Sequence, residues 1–230
     1  MKKKIFIACD TSKASVIKKI IKNSQSKKLN IGYKFGLEFF NSKNGRSFIS
    51  KLGKNKMIWL DLKLFDIPNT VAYSIESLKD LKNIRYLTIH ISGGLQMMRL
   101  AKKTARKINK KLKILGVTVL TSFSDSSLKK TGHTKSLKKI VSIQAKLAKT
   151  AGLDGIVCSG HEVKLINKIC KKMDIFTPGI RLHGDKNQDQ KRVINPKQAF
   201  TNGATGIIIG RSITRGSIKN NIQKLIKSLK

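Results

Sequence analysis

Acidic residues are scarce in this 230-residue chain: 12 aspartates and glutamates stand against 49 lysines and arginines, for a formal charge of +37. Such an imbalance first suggests nucleic acid as a partner. Arginine and aromatic residues are also in short supply. Only eight of the 49 basic residues are arginine, and Phe, Trp and Tyr make up 6% of the chain. Nucleic-acid surfaces favour arginine forks and aromatic stacking platforms, so no specific nucleic-acid partner is expected. The scattered lysines instead form a coat that attracts anionic ligands at long range and repels itself at low salt. Cysteine occurs three times, at Cys9, Cys158 and Cys170, with no Cys-x-x-Cys pair. That excludes a disulfide framework or a zinc-site pattern and leaves buried, reduced thiols as the expectation. Long hydrophobic runs are missing as well. The apolar stretch before Asp10 is too short for a signal-peptide core, and no other segment approaches a membrane-spanning length. A cytoplasmic protein without a membrane partner is expected.

What the chain does have is a regular alternation. A hydrophobic fraction of 40% and this length suit one core and one domain over residues 1–230. Apolar runs predict strands at 4–9, 31–36, 57–63, 86–91, 114–120, 155–159, 175–179 and 206–210. Lysine-rich segments of helical period begin near Ser12, Glu38, Pro68, Gly94, Ser136, His161, Pro196 and Lys219. Eight strand-helix units whose strands are almost wholly apolar imply a parallel sheet buried on both faces. They are most simply closed as an α/β fold of the (β/α)8 TIM-barrel type. A doubly wound open sheet is the alternative, but it would place a glycine-rich phosphate turn after the first strand. Asp10-Thr11-Ser12-Lys13 stands there, so the barrel is preferred.

The stretch Asp61-Leu62-Lys63-Leu64-Phe65-Asp66-Ile67-Pro68-Asn69-Thr70-Val71 is the most informative in the chain. Side chains alternate along a strand, so Asp61 and Lys63 point to one face at the end of a buried apolar run, where a charge pair is expensive unless it is used. Ile67 is pushed to an extended conformation by the following proline, and Pro68 suits a first helical turn. Asp66 therefore lies on a short strand-to-helix turn. Barrel active sites gather at the carboxyl ends of the strands, and Asp10, Lys34, Asp61, Lys63 and Thr121 fall at or just beyond such ends. Phosphate is often held there after the seventh and eighth strands, at a helix amino end. Gly210, which permits close backbone approach, and the two-pronged Arg211 follow the eighth strand and match that role. The polar segment 181–192, with Gly184, suits a mobile lid. The four histidines, at 90, 133, 161 and 183, show no ligand spacing, so no metal site is expected.

The 61–71 wording closely resembles the signature of the orotidine 5'-phosphate (OMP) decarboxylase family, and the likeness extends over nearly the whole chain. It includes IFIACD at 5–10, YKFGLEFF at 33–40, IHISGG at 89–94, GVTVLTS at 116–122, TPGIR at 177–181 and GATGIIIGRSIT at 203–214. Phe65 departs from the histidine usual in the family, and Gly160-His161 departs from the usual residues; neither belongs to the charged set. The resemblance implies decarboxylation of OMP to UMP in pyrimidine biosynthesis, with no metal or organic cofactor. It implies an alternating network of Lys34, Asp61, Lys63 and Asp66 in which Lys63 stabilises and protonates the C6 carbanion. It further implies a homodimer in which Asp66 and Thr70 reach the partner's site. Asp10 and Lys34 would contact the ribose with Thr70, Thr121 and Ser122 would face the pyrimidine, and Arg181, Gln190, Gly210 and Arg211 would hold the phosphate.

Two other readings of these residues compete with it. A Mg2+-dependent sugar-phosphate decarboxylase or hexulose-phosphate aldolase would share the Asp-x-Lys-x-x-Asp core and use its acids as metal ligands, but Ile67 to Val71 and the Thr121-Ser122 pair speak against it. A basic nucleic-acid-binding protein with a decayed active site is opposed by the intact Lys34, Asp61, Lys63 and Asp66.

Overall fold

A computed structural model describes residues 3–53, 55–185 and 193–229. Eight parallel strands close into a barrel in chain order, with β8 hydrogen-bonded back to β1. The strands are β1 (Lys4–Ala8), β2 (Asn30–Gly36), β3 (Met57–Leu64), β4 (Ile84–His90), β5 (Lys113–Val117), β6 (Gly155–Val157), β7 (Asp174–Thr177) and β8 (Gly206–Ile209). Around them lie α1 (Ala14–Asn23), α2 (Leu37–Phe40), α3 (Gly45–Ser50), α4 (Pro68–Glu76), α5 (Gly94–Ile108) and α6 (Asp125–Lys130). The chain continues through α7 (Leu137–Thr150), α8 (Val163–Ile169), α9 (Pro196–Thr201), α10 (Arg211–Thr214) and α11 (Ile218–Ser228). The expected (β/α)8 barrel is the observed fold, and all eight expected strands are present.

The differences are local. The helix expected from Glu38 is split into α2 and α3 by the polar turn at Asn41 to Asn44, where the Gly45 N–H donates to the Ser42 carbonyl. Helix α6 was not anticipated. Its start is fixed by a reciprocal cap in which the Ser124 N–H donates to Ser127 Oγ and the Ser127 N–H donates to Ser124 Oγ, which satisfies amides that a helix start leaves open. The fifth strand ends at Val117 rather than at residue 120. Its partner β6 stops at Val157, and after the Thr118 N–H donates to Val157 O no further ladder is available.

Two apolar layers follow from the period-two pattern. On β1, Ile5 and Ile7 face the helices while Phe6 and Ala8 face the barrel axis; on β3, Ile58, Leu60 and Leu62 face out and Trp59 faces in. Inside, Phe6, Trp59, Tyr86 and Phe176 meet largely edge to face, with Phe6–Trp59 and Trp59–Phe176 centroids 5.0 and 4.9 Å apart. Aromatic rings favour that geometry because of their quadrupoles. Beneath the rings, Asp174 is buried and binds Lys4 at 2.7 Å and Lys113 at 2.8 Å. The two ammonium groups outweigh the effect of burial and hold its carboxyl below the usual aspartate value. The interior is thus closed at its amino-terminal end and open at the other.

Room for the rings comes from glycine. A Cβ on Gly32 would lie 2.5 Å from a Phe6 ring carbon and 2.8 Å from the Met57 carbonyl oxygen, contacts that cannot be relieved without moving the barrel. Gly32→Ala is therefore expected to lower unfolding free energy by about 1–3 kcal/mol; urea unfolding that matched the parent would contradict this account of the interior.

Candidate active site

At the carboxyl ends of the strands the inward face turns from apolar to charged. A cavity of about 530 Å³ opens there, floored by Ala8, Trp59, Val117, Val157 and Ile208. Asp10, Lys34, Asp61, Lys63, Thr121, Ser122, Arg181, Gly210 and Arg211 all line it. Nine of the twelve residues expected at the site are thereby brought together.

Asp61 is the centre of the group. It is 8% exposed, and its Oδ2 lies 3.0 Å from Lys34 Nζ and 2.9 Å from Lys63 Nζ. Its other oxygen accepts from the Thr88 hydroxyl at 2.9 Å. Lys34 also reaches Asp10 Oδ1 at 3.3 Å, so positive and negative groups alternate from Asp10 through Lys34 and Asp61 to Lys63. Burial alone would raise the Asp61 carboxyl, but Lys34 and Lys63 more than reverse that and bring it from 3.8 to about 2. Burial likewise opposes the charge on Lys34, and the neighbouring Asp61 and Asp10 overcome it, holding the ammonium above the ordinary lysine value. Both groups are ionised at neutral pH because each carries the other's counter-charge.

Lys63 stands in an unusual backbone conformation, with φ of 47°, the left-handed region that side-chain-bearing residues avoid. The pairing between β3 and β4 slips between Leu60 and Leu64, and the Lys63 N–H is taken by Thr88 Oγ1 at 3.0 Å. The irregularity still leaves Lys63 on the cavity side with Asp61 and Trp59, as strand alternation requires. Strain at a cavity-facing residue is common where geometry serves function.

The residues expected at the phosphate line the same cavity from the ends of β7 and β8. Gly210 precedes the short helix α10, whose first residue is Arg211. A Cβ at Gly210 would meet Ala8 at 3.6 Å and Asp10 at 4.0 Å, so a larger residue would occupy cavity space without a clash. Arg181 follows β7 and donates to the Ile180 carbonyl at 3.0 Å. Thr121 and Ser122 line the cavity from the β5–α6 loop, beyond the true strand end.

Asp66 and Thr70 are exposed and do not join the charged group within one chain. The Asp66 carboxylate accepts from the Ile67 N–H at 2.7 Å. Around them Phe65, Ile67 and Tyr73 are 62%, 67% and 69% exposed, a concentration of apolar surface on one segment. Gln190, and with it residues 186–192 of the expected lid, lies outside the described residues.

Two contributors were not anticipated. Trp59 floors the cavity, and Thr88 joins Asp61 to the Lys63 backbone. The signal for Thr88 was available: it is a polar residue on the inward period of β4, between Tyr86 and His90. Cys9, next to Asp10, is fully buried. Burial and the adjacent carboxylate push its thiol up to about 12, so it stays protonated and unreactive. His90 is drawn below the usual imidazole value by burial and then by Lys63. Among the described residues, no three His, Cys, Asp or Glu side chains converge as a metal-ligand set, and no helix is long and apolar enough to cross a membrane.

The family model described as "Orotidine 5'-phosphate decarboxylase / HUMPS family" matches residues 3–221. An orotidine 5'-phosphate decarboxylase of Wolbachia pipientis subsp. Culex pipiens is 45% identical over 199 residues, covering 85% of this chain and 86% of the relative. One from Erythrobacter litoralis is 40% identical over 217 residues, covering 94% and 93%. Among solved structures, the orotidine 5'-phosphate decarboxylase of Lactobacillus acidophilus superposes with a TM-score of 0.84 at 32% identity, covering 99% of each chain.

Because the folded-state Asp61 carboxyl is depressed, its stabilisation is complete above the ordinary 3.8 and disappears as pH falls through about 2. Relative to the parent, Asp61→Asn is expected to remove roughly 2 kcal/mol of the acid-dependent loss of stability across that interval. Denaturant melts at several acidic pH values would measure the slope, and identical slopes would contradict the ion-pair account.

Proposed function

The chain belongs to the orotidine 5'-phosphate decarboxylase / HUMPS family, and we propose on that premise that Lys63 is the group through which it acts. The reaction is decarboxylation of OMP to UMP and CO2 in pyrimidine biosynthesis. The C6–carboxylate bond breaks with its electron pair left on C6, in the plane of the ring. Water stabilises such a carbanion poorly. A fixed ammonium does so without reorganisation and then delivers its proton to C6, closing the sequence as UMP. The single observation that carries this assignment is the Lys63 Nζ lying 2.9 Å from the buried Asp61 carboxylate at the cavity floor.

The remaining roles follow the same reading. Lys34 holds the charge on Asp61 and, with Asp10, contacts the ribose. Thr121 and Ser122 face the pyrimidine. Gly210, Arg211 and Arg181 hold the phosphate, joined by Gln190, and remote phosphate binding energy contributes to the chemical step. A metal-dependent sugar-phosphate reaction would need the shared acids as cation ligands. Here both oxygens of Asp61 already accept from ammonium or hydroxyl donors, which disfavours Asp61 as a cation ligand.

We propose further that two copies of the chain pair through the β3–α4 segment, where Asp66 and Thr70 stand exposed among Phe65, Ile67 and Tyr73. Paired by a twofold axis, each copy would lend Asp66 and Thr70 to its partner's cavity. That completes the alternation Lys34, Asp61, Lys63, Asp66. Its phosphorylated substrate and product fit work in the cytoplasm.

Purified protein is expected to form UMP and CO2 from OMP equally well with and without EDTA, and Lys63→Ala is expected to lower turnover by roughly a thousandfold or more while remaining folded. Near-normal turnover in the mutant would remove Lys63 from the mechanism; dependence on added Mg2+ would favour the sugar-phosphate reading. Mixing Lys63→Ala and Asp66→Ala protomers should restore about a quarter of the parent's activity, since half the dimers then carry one intact site. No recovery in a mixture shown to contain heterodimers would mean self-contained sites.

A further inference from the structure

Thr88 lies on β4, outside the 61–71 signature, and is fully buried beside the charged group. Its hydroxyl makes two hydrogen bonds at once. It donates to Asp61 Oδ1 at 2.9 Å and accepts the Lys63 N–H at 3.0 Å. A hydroxyl has one proton to give and lone pairs to receive, so the two contacts use it in complementary directions and fix its orientation.

Each contact restrains something the chemistry needs. The bond to Oδ1 selects one carboxylate orientation for Asp61. Oδ2 is then left to both ammonium groups, at 3.0 Å from Lys34 and 2.9 Å from Lys63. The bond from the Lys63 N–H acts where the backbone has left the regular ladder. Between Leu60 and Leu64 the β3–β4 register shifts, and Lys63 takes φ of 47°. Without an acceptor there, a partly buried N–H would be unpaired, which is costly. Thr88 therefore offsets part of the strain of that conformation.

We infer that Thr88 is a positioning residue for decarboxylation: one hydroxyl couples the orientation of Asp61 to the strained backbone of Lys63 and sets where the Lys63 ammonium points. The role rests on the assignment of Lys63 as the acting group. It explains why a polar residue occupies the inward period of a strand whose neighbouring inward residue, Tyr86, packs in the aromatic layer. It also links two features that adjacency in sequence does not, since Thr88 lies 25 residues from Lys63 and 27 from Asp61.

Thr88→Val keeps the shape and removes the hydroxyl, whereas Thr88→Ser keeps the hydroxyl and removes the methyl. Displacement of a reacting group by a fraction of an ångström to an ångström is expected to lower kcat for OMP by about ten- to a hundredfold in the valine variant. KM for OMP and the Kd for UMP should stay within about threefold of the parent, because the pyrimidine, ribose and phosphate contacts are untouched. The serine variant should recover kcat to within about threefold. A merely structural role would not give this split with rescue. If the valine variant fails to fold, Thr88→Cys serves in its place, as a thiol is a weak donor and acceptor; it should show an intermediate fall in kcat.

Unchanged kcat in a folded valine or cysteine variant would overturn the inference, as would a serine variant as impaired as valine. The parent and Lys63→Ala, assayed alongside, separate the two levels. A parent that does not turn over OMP, or a Lys63→Ala protein that does, defeats the functional assignment itself. An active parent with an inactive Lys63→Ala protein and a fully active Thr88→Val protein defeats only the role of Thr88.

Discussion

A carboxylate held between two ammonium groups is the interaction on which the site depends. Asp61 is the shared acceptor of Lys34 and Lys63, and with Asp10 it keeps Lys34 charged against burial. Like charges brought together in a poorly solvated place tend to neutralise; alternating charges stay ionised. The arrangement concentrates two ammonium groups at one cavity, which suits the proposed loss of a carboxylate and gain of a proton. It also accounts for the large depression of the Asp61 carboxyl against burial that would raise it.

The barrel makes that concentration possible at moderate expense. Its axis is filled by four aromatic rings, so the charged group rests on a rigid, apolar base rather than on water. Eight strands deliver side chains to one rim from positions far apart in sequence, which is how Asp10 of the first connection and Arg211 after the eighth strand face the same cavity. The lysine-rich exterior adds a long-range attraction for a phosphorylated anion. This effect acts on encounter and would weaken with salt.

Much of this was legible in the chain. Strand alternation alone put Asp61 and Lys63 on one face, and the eight apolar runs located all eight strands because parallel strands buried on both faces are nearly continuous in hydrophobicity. Asp10, Lys34, Asp61, Lys63, Thr121, Gly210 and Arg211 followed from the rule that barrel sites gather at strand ends, whereas Ser122 and Arg181 came only from the family resemblance. What could not be read depends on partners distant in sequence. The length of the fifth strand is set by where β6 stops, the break between α2 and α3 by a tight turn, and the bond from the Lys63 N–H to Thr88 by a slip in the β3–β4 register. The exposed setting of Asp66 and Thr70 is likewise a property of one chain's surface that no local pattern states.

The closed end of the barrel has a consequence of another kind. Lys4, Lys113 and Asp174 seal the amino-terminal end below the aromatic layer, while the charged group around Asp61 occupies the other end. The rings between act as an insulator. A substitution at Lys4 or Lys113 would therefore act on the support beneath the rings and leave the ion pairs of Asp61 in place.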